Sequence, residues 1–141
     1  MNNKLTVFLG GTCGDSTWRE ELSKLLTKQV VSFNPVVKDW TFKNQEIEDE
    51  HKDKDDIVLF VITPESSNIY SASEVAQTAR LFPSRTILCV LFEANGKKFN
   101  SHEQKTWKKI LEDINNFGAV TFLSLKELAK YLNNLAKYWK K

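Results

Sequence analysis

Residues that build metal centres and disulfide frameworks are scarce in this chain, with only two cysteines and two histidines in 141 residues. Cys13 and Cys89 form no Cys-x-x-Cys pair, and His51 and His102 are isolated, so no zinc-ligand spacing can be assembled. No metal and no organic cofactor are expected. Cys89 lies in the apolar run Ile87-Leu88-Cys89-Val90-Leu91 and is expected in the core. No segment approaches the ~18 consecutive apolar residues of a membrane span, and no signal-peptide pattern is present. These absences predict a soluble, cytoplasmic protein with no membrane partner. Charge of one sign is also lacking. Twenty Lys and Arg stand against 18 Asp and Glu, a formal +2, without the basic excess of a nucleic-acid binder. The basic C-terminal stretch, with Lys126, Lys130, Lys137, Lys140 and Lys141, reads as the solvated face of an amphipathic helix. Without repeats, low-complexity tracts or linkers, residues 1–141 are expected to form one domain.

What the chain does have is a regular alternation of apolar runs and helical patterns. Leu5 to Leu9, Val30 to Phe33, Ile57 to Ile62, Thr86 to Phe92 and Ala119 to Phe122 read as strands. Between them lie a helix capped by Ser16 or Thr17 and reaching about Lys28, and a polar helix from about Asn44 to Lys52. A helix carrying Glu74 follows the third strand. Another is capped by Ser101 and stopped by Gly118, and the last opens at Ser124. The alternation predicts an α/β fold. Its form is a three-layer, doubly wound, five-stranded parallel sheet in the flavodoxin-like order 2-1-3-4-5.

In such a sheet, ligands bind outside the carboxyl ends of the strands. Two segments reach that edge. Thr63 to Ile69 links the third strand to the helix with Ser71-Ala72-Ser73-Glu74-Val75. A carboxylate delivered there can serve as nucleophile, general base or ligand clamp, or simply complement the dipole of a first helical turn. Gly10-Gly11-Thr12-Cys13-Gly14-Asp15-Ser16-Thr17 links the first strand to the first helix. It is neither a P-loop nor a GxGxxG fingerprint, and a tight strand-to-helix turn needs glycine in any case. Thr12, Trp18 and Arg19 beside it are compatible with a pocket, and equally with a turn that needs glycine for its own sake.

Three segments together resemble the nucleoside 2-deoxyribosyltransferase-like family. They are Phe8-Leu9-Gly10-Gly11-Thr12 with Ser16-Thr17-Trp18-Arg19, Phe33-Asn34-Pro35-Val36-Val37 with Asp39-Trp40, and Asp56 to Glu65 leading to Ser73-Glu74-Val75. The resemblance implies cleavage of the N-glycosidic bond of 2-deoxynucleosides or their monophosphates, with Glu74 attacking the anomeric carbon. The base leaves, and a second base or water takes the sugar. It implies Glu48, in the acidic stretch Gln45 to Glu50, as the residue that assists the base. Gly10, Gly11, Thr12, Asp39 and Trp40 are expected on the base side, and Asn68 and Ser71 near the sugar. The implied partners are a small-molecule deoxynucleoside or deoxynucleotide, a free nucleobase and further copies of the chain in a homo-oligomer. The C-terminal region of one copy would complete the site of another, and Trp107, Tyr131, Tyr138 and Trp139 are candidates for that interface.

Two positions depart from the family pattern. Phe8 stands where a tyrosine often hydrogen-bonds the nucleophile, leaving Ser71, Ser73 or loop N–H groups as donors to Glu74. Asn68 stands where an aspartate accepts from the sugar 5-hydroxyl or a serine suits a phosphate, which leaves nucleoside and nucleotide both open. A non-catalytic nucleotide-binding module on the same scaffold is the alternative. A flavodoxin-type electron carrier is a weaker one, and the lack of an aspartate at the end of the third strand disfavours a response-regulator receiver.

Overall fold

The apolar runs Ile57–Ile62 and Thr86–Val90 are buried at every position, as central strands of a parallel sheet require, while the edge runs Val30–Phe33 and Val120–Phe122 are only partly buried. The computed structural model describes residues 3–140. Its elements run β1 (Leu5–Gly11), α1 (Trp18–Leu25), β2 (Val30–Phe33), α2 (Phe42–Lys54), β3 (Ile57–Ile62), α3 (Ile69–Leu81), β4 (Thr86–Val90), β5 (Glu93–Ala94), β6 (Lys97–Lys98), α4 (Ser101–Asn116), β7 (Val120–Phe122) and α5 (Leu125–Lys137). A 3-10 turn at Pro83–Arg85 leads into β4. The parallel sheet has the order β2-β1-β3-β4-β7, the expected flavodoxin-like winding with β7 as fifth sheet strand. β5 and β6 form a separate antiparallel hairpin. Asn95 and Gly96, both at positive φ, turn it in the manner of two-residue hairpins.

All six residues of β3 are buried, and each is worth roughly 1.5–3 kcal/mol over an exposed side chain of its kind. Alternation splits the core into two. Leu5, Val7, Leu9, Leu59, Val61 and Cys89 pack against Trp18 and Leu22 of α1 and Leu128 and Leu132 of α5. Phe8, Val58, Phe60, Ile62 and Leu88 pack against Val75 and Ala79 of α3 and Trp107 and Ile114 of α4. Cys89 is fully buried, and burial pushes its thiol up to about 12. Asp56 locks β1 to β3, its Oδ2 accepting from both Thr6 N–H and Thr6 Oγ at 2.9 Å.

Several element ends differ from the expected ones. α1 stops at Leu25, short of the expected Lys28; Leu25 is 45% exposed and Leu22 fully buried. Thr17 occupies the α1 N-cap position without a side-chain cap, and Ser16 donates instead to Glu65 at 2.6 Å. Thr41, not Asn44, opens α2, in a reciprocal capping box with Asn44. Asn100, not Ser101, caps α4 in the same way with Glu103. α4 ends as expected at Gly118, whose φ is 103°. Gly118 N–H bonds Asn115 O and Ala119 N–H bonds Ile114 O, the paired geometry of a Schellman stop. Trp107 is a core residue, 5% exposed, whereas Tyr138 is 70% exposed.

α2 is unlike the other helices in that it buries no side chain. It meets the sheet through rings. His51 stacks on Phe33 with centroids 3.7 Å apart and planes 5° apart, and Phe33 lies 6.0 Å from Phe8. Its C-terminal end is held by Arg85, whose Nη2 donates to the carbonyl oxygens of Lys52, Asp53 and Asp55.

Candidate functional site

The sheet's winding reverses between β1 and β3, and a crevice opens beyond their carboxyl ends at such a switch point. A cavity of about 360 Å³ occupies that place. β1 supplies Phe8, Gly10 and Gly11 to its lining, α2 supplies Glu48 and Lys52, and the β3–α3 segment supplies Ser66 to Ser71 and Glu74.

Three of the walls are fixed by local chemistry. Gly11 has φ 113°, and a Cβ there would lie 2.0 Å from Val61 O. Only glycine lets β1 pass so close to β3. Gly10 is less constrained, with Phe8, Phe60 and Leu59 at 3.2–3.3 Å from a Cβ. Arg19, 4% exposed, holds the turn from beneath. Its Nε and Nη2 donate to Leu9 O and its Nη1 to Thr12 O, and its guanidinium rests over the Trp18 ring at 4.4 Å. Burial lowers the Arg19 pKa against smaller opposing contributions from Cys13 and nearby carboxylates.

Thr12 is 1% exposed and does not line the cavity. Its hydroxyl donates to Asn68 Oδ1 at 2.6 Å and accepts from Thr63 N–H at 2.8 Å. It joins the two loops. Asn68, 6% exposed with φ 58°, occupies the N-cap position of α3 in the left-handed region, which asparagine tolerates better than most residues. Its Nδ2 donates to Thr63 O and Ser66 O, and its Oδ1 accepts from Thr12 and Ser66. Although Asn68 lines the cavity, its amide is engaged within the loop on both ends.

Glu74 lies in the second turn of α3, because the helix begins at Ile69. The dipole argument for a first-turn carboxylate therefore does not apply to it. Its side chain is 21% exposed and faces the cavity shared with the glycine turn. Its donor is Lys52, whose Nζ lies 2.6 Å from Glu74 Oε2, and not Ser71 or Ser73. Ser73 accepts from Gln77. Burial opposes the charge on Lys52, yet the hydrogen bond and attraction of Glu74, with Glu48 and Tyr70 adding, hold its ammonium above the ordinary lysine range. Lys52 escaped sequence reasoning because it sits in a run of charged residues with no distinguishing spacing. Its one signal was its place four residues after Glu48, which puts both on one helix face.

Glu48 and Ser71 line the cavity, whereas Asp39 and Trp40 do not. Asp39 is exposed. Trp40 is 52% exposed and reaches the site through Nε1, which donates to Glu48 Oε2 at 3.4 Å. Cys13 is exposed at the cavity rim. A larger groove of about 1710 Å³ runs along α5 and the α1–β2 turn; it contains none of the candidate catalytic or substrate-binding residues but is lined by the interface candidates Tyr131, Tyr138 and Trp139. Among the described residues no cluster of His, Cys, Asp and Glu has the arrangement of a metal site, and no helix is long and apolar enough to cross a membrane.

Comparison with curated proteins finds no match. The family model described as nucleoside 2-deoxyribosyltransferase like matches residues 4–92, the span from β1 through β4 that contains every residue of this cavity. On that match over more than half its length, the chain belongs to the nucleoside 2-deoxyribosyltransferase-like family.

Proposed function

We propose that the chain cleaves or transfers the N-glycosidic bond of 2-deoxynucleosides or their monophosphates through a covalent deoxyribosyl intermediate on Glu74. The observation that carries this reading is the half-buried Glu74 carboxylate facing a cavity shared with the β1 glycine turn. An electron pair from a Glu74 oxygen forms the bond to C1 as the C1–N pair departs with the base. Water or a second base then gives its pair to C1 and loses a proton, replacing the one that the departing base took up, and the ester pair returns to Glu74. Developing positive charge on the sugar is stabilised by a carboxylate close to it.

Glu48 on α2, hydrogen-bonded by Trp40, assists the base, and Asp39 remains a candidate for contacting it. Gly10 and Gly11 form the floor, and Thr12 acts through the loops it joins. With the Asn68 amide engaged, the sugar 5-position falls to Ser66, Ser67 and Ser71. The first N–H groups of α3 have no intrahelical partner and favour an anion, which supports a 5-monophosphate. Ile69 and Tyr70, 78% and 73% exposed, flank the same region and support a homo-oligomer, which sedimentation would detect.

The experiment is incubation of the purified protein with deoxynucleosides plus a free base, and separately with deoxynucleoside monophosphates. Base exchange or release that Glu74→Ala abolishes supports catalysis. Binding without product, in the wild type, supports the nucleotide-binding module instead.

A further inference from the structure

Lys52 is the residue that neither the sequence pattern nor the family match assigns, and its surroundings are specific. Its ammonium contacts Glu74 with side chains 30% and 21% exposed. Beneath it lies the Phe8 ring, 5.6 Å to the centroid, a position with no hydrogen to donate. Among the described residues, Lys52 is the side chain that donates to the Glu74 carboxylate. Glu48, one turn earlier on α2, lines the same cavity and attracts the same cation.

Resting on the nucleophilic reading of Glu74, we propose that Lys52 is its positioning residue. The ammonium aims Glu74 Oε2 and matches the charge that the carboxylate loses and regains in each turnover. When Glu74 gives its electron pair to C1 and the C1–N pair leaves on the base, the carboxylate becomes a neutral ester. Lys52 then has Glu48 as its remaining anion. When the acceptor attacks C1, the ester pair returns to Glu74, and a cation already in place stabilises the departing carboxylate. Preorganised charge of this kind needs no reorganisation at the moment of reaction. The contact that assigns Lys52 its role is with Glu74, so it acts through the nucleophile.

The test compares wild type, Lys52→Ala and Lys52→Arg on the common deoxynucleosides and their 5-monophosphates. Lys52→Ala is expected to lower kcat about a hundredfold or more, the usual loss on removing one such donor, with a smaller change in KM. Lys52→Arg is expected to recover part of the loss. Ethylammonium is expected to restore Lys52→Ala, and tetramethylammonium, a cation without N–H, is not. A purely structural lysine would show no such difference between the two cations. An NMR titration of the Lys52 ammonium supplies a readout without turnover. In Glu74→Gln the ammonium should deprotonate at lower pH than in wild type, since burial then acts with less opposition. Wild-type turnover with Lys52→Ala equally active, or equal effects of the two cations, would overturn the role of Lys52 alone, as would an unmoved titration. No base release by wild type from any of these substrates would overturn the glycosidic reading and the role of Lys52 together.

Discussion

Thr12 Oγ donates to Asn68 Oδ1 at 2.6 Å, joining two residues that lie 56 positions apart in the chain. The same hydroxyl accepts from Thr63 N–H, so one buried side chain fastens the β1–α1 turn to the loop after β3. Thr12→Val keeps the shape and removes both bonds. It should destabilise the protein by about 1–3 kcal/mol, the cost of leaving buried polar groups unpaired. Urea unfolding measures this, and a change under ~0.5 kcal/mol would show that the loops hold without it.

Gly11→Ala should cost more. The added Cβ would meet Val61 O, N and C at 2.0–2.8 Å, and the backbone there has φ 113°. Strain of about 1–3 kcal/mol adds to overpacking of similar size. Gly14→Ala is the comparison, since a Cβ at Gly14 meets nothing within 4 Å though its φ is 76°. Thermal melts should place Gly11→Ala well below Gly14→Ala.

Glu74→Gln separates catalysis from folding. Removing a nucleophile should lower turnover by at least about a thousandfold. The partly exposed ion pair with Lys52 limits the stability change to roughly 1 kcal/mol or less. Initial rates and urea midpoints on the same preparations decide this, and a variant with near-normal rates would remove Glu74 from the chemistry.

The Lys52 pKa is raised in the folded protein, and the sign of its pH dependence follows. Its contribution to stability is complete below the unfolded lysine value of 10.5 and is lost as pH rises through the higher folded value. The stability difference between wild type and Lys52→Met should therefore be flat across neutral pH and shrink only in strongly alkaline solution. Melting curves of both proteins along an alkaline series test it.

Glu65 works at the other end of the scale. Despite some burial, hydrogen bonds from Ser16, Asn95 and Thr63 and the attraction of Lys97 hold its carboxyl below the ordinary 4.5. Its contribution is present above that value and is lost as pH falls through the lower folded value. Glu65→Gln should flatten part of the acid limb of the stability curve and loosen the hairpin at Asn95, which amide exchange of Gly96 would detect.

The sheet was legible because its strands carry their own signal. Ile57 to Ile62 is apolar at every position, and a strand buried on both faces needs that. Gly118 was legible as a stop because its backbone conformation excludes most other residues. Caps were less so, since Asn100 and Ser101 are adjacent and both are good capping types. Within the cavity, Glu74 was found from its place after a buried strand. Lys52 was not, because its partner lies 22 residues away on another helix, and local spacing carries no record of such a meeting. The resemblance puts Thr12 on the base side and Asn68 near the sugar. That each was consumed by the other's loop depends on where two turns come to rest, which only the assembled sheet fixes.

The ring-to-ring seat of α2 has a consequence for how the protein would take up a guest molecule. A helix without a buried stripe opens at little energetic cost, and Arg85 secures only its far end. The wall bearing Glu48 should therefore breathe from Thr41 inward while the strands opposite stay shut. An occupant bridging that wall to Glu74 would quiet the motion, so slowed deuterium uptake across residues 42–50 would report occupancy even before any bond is broken.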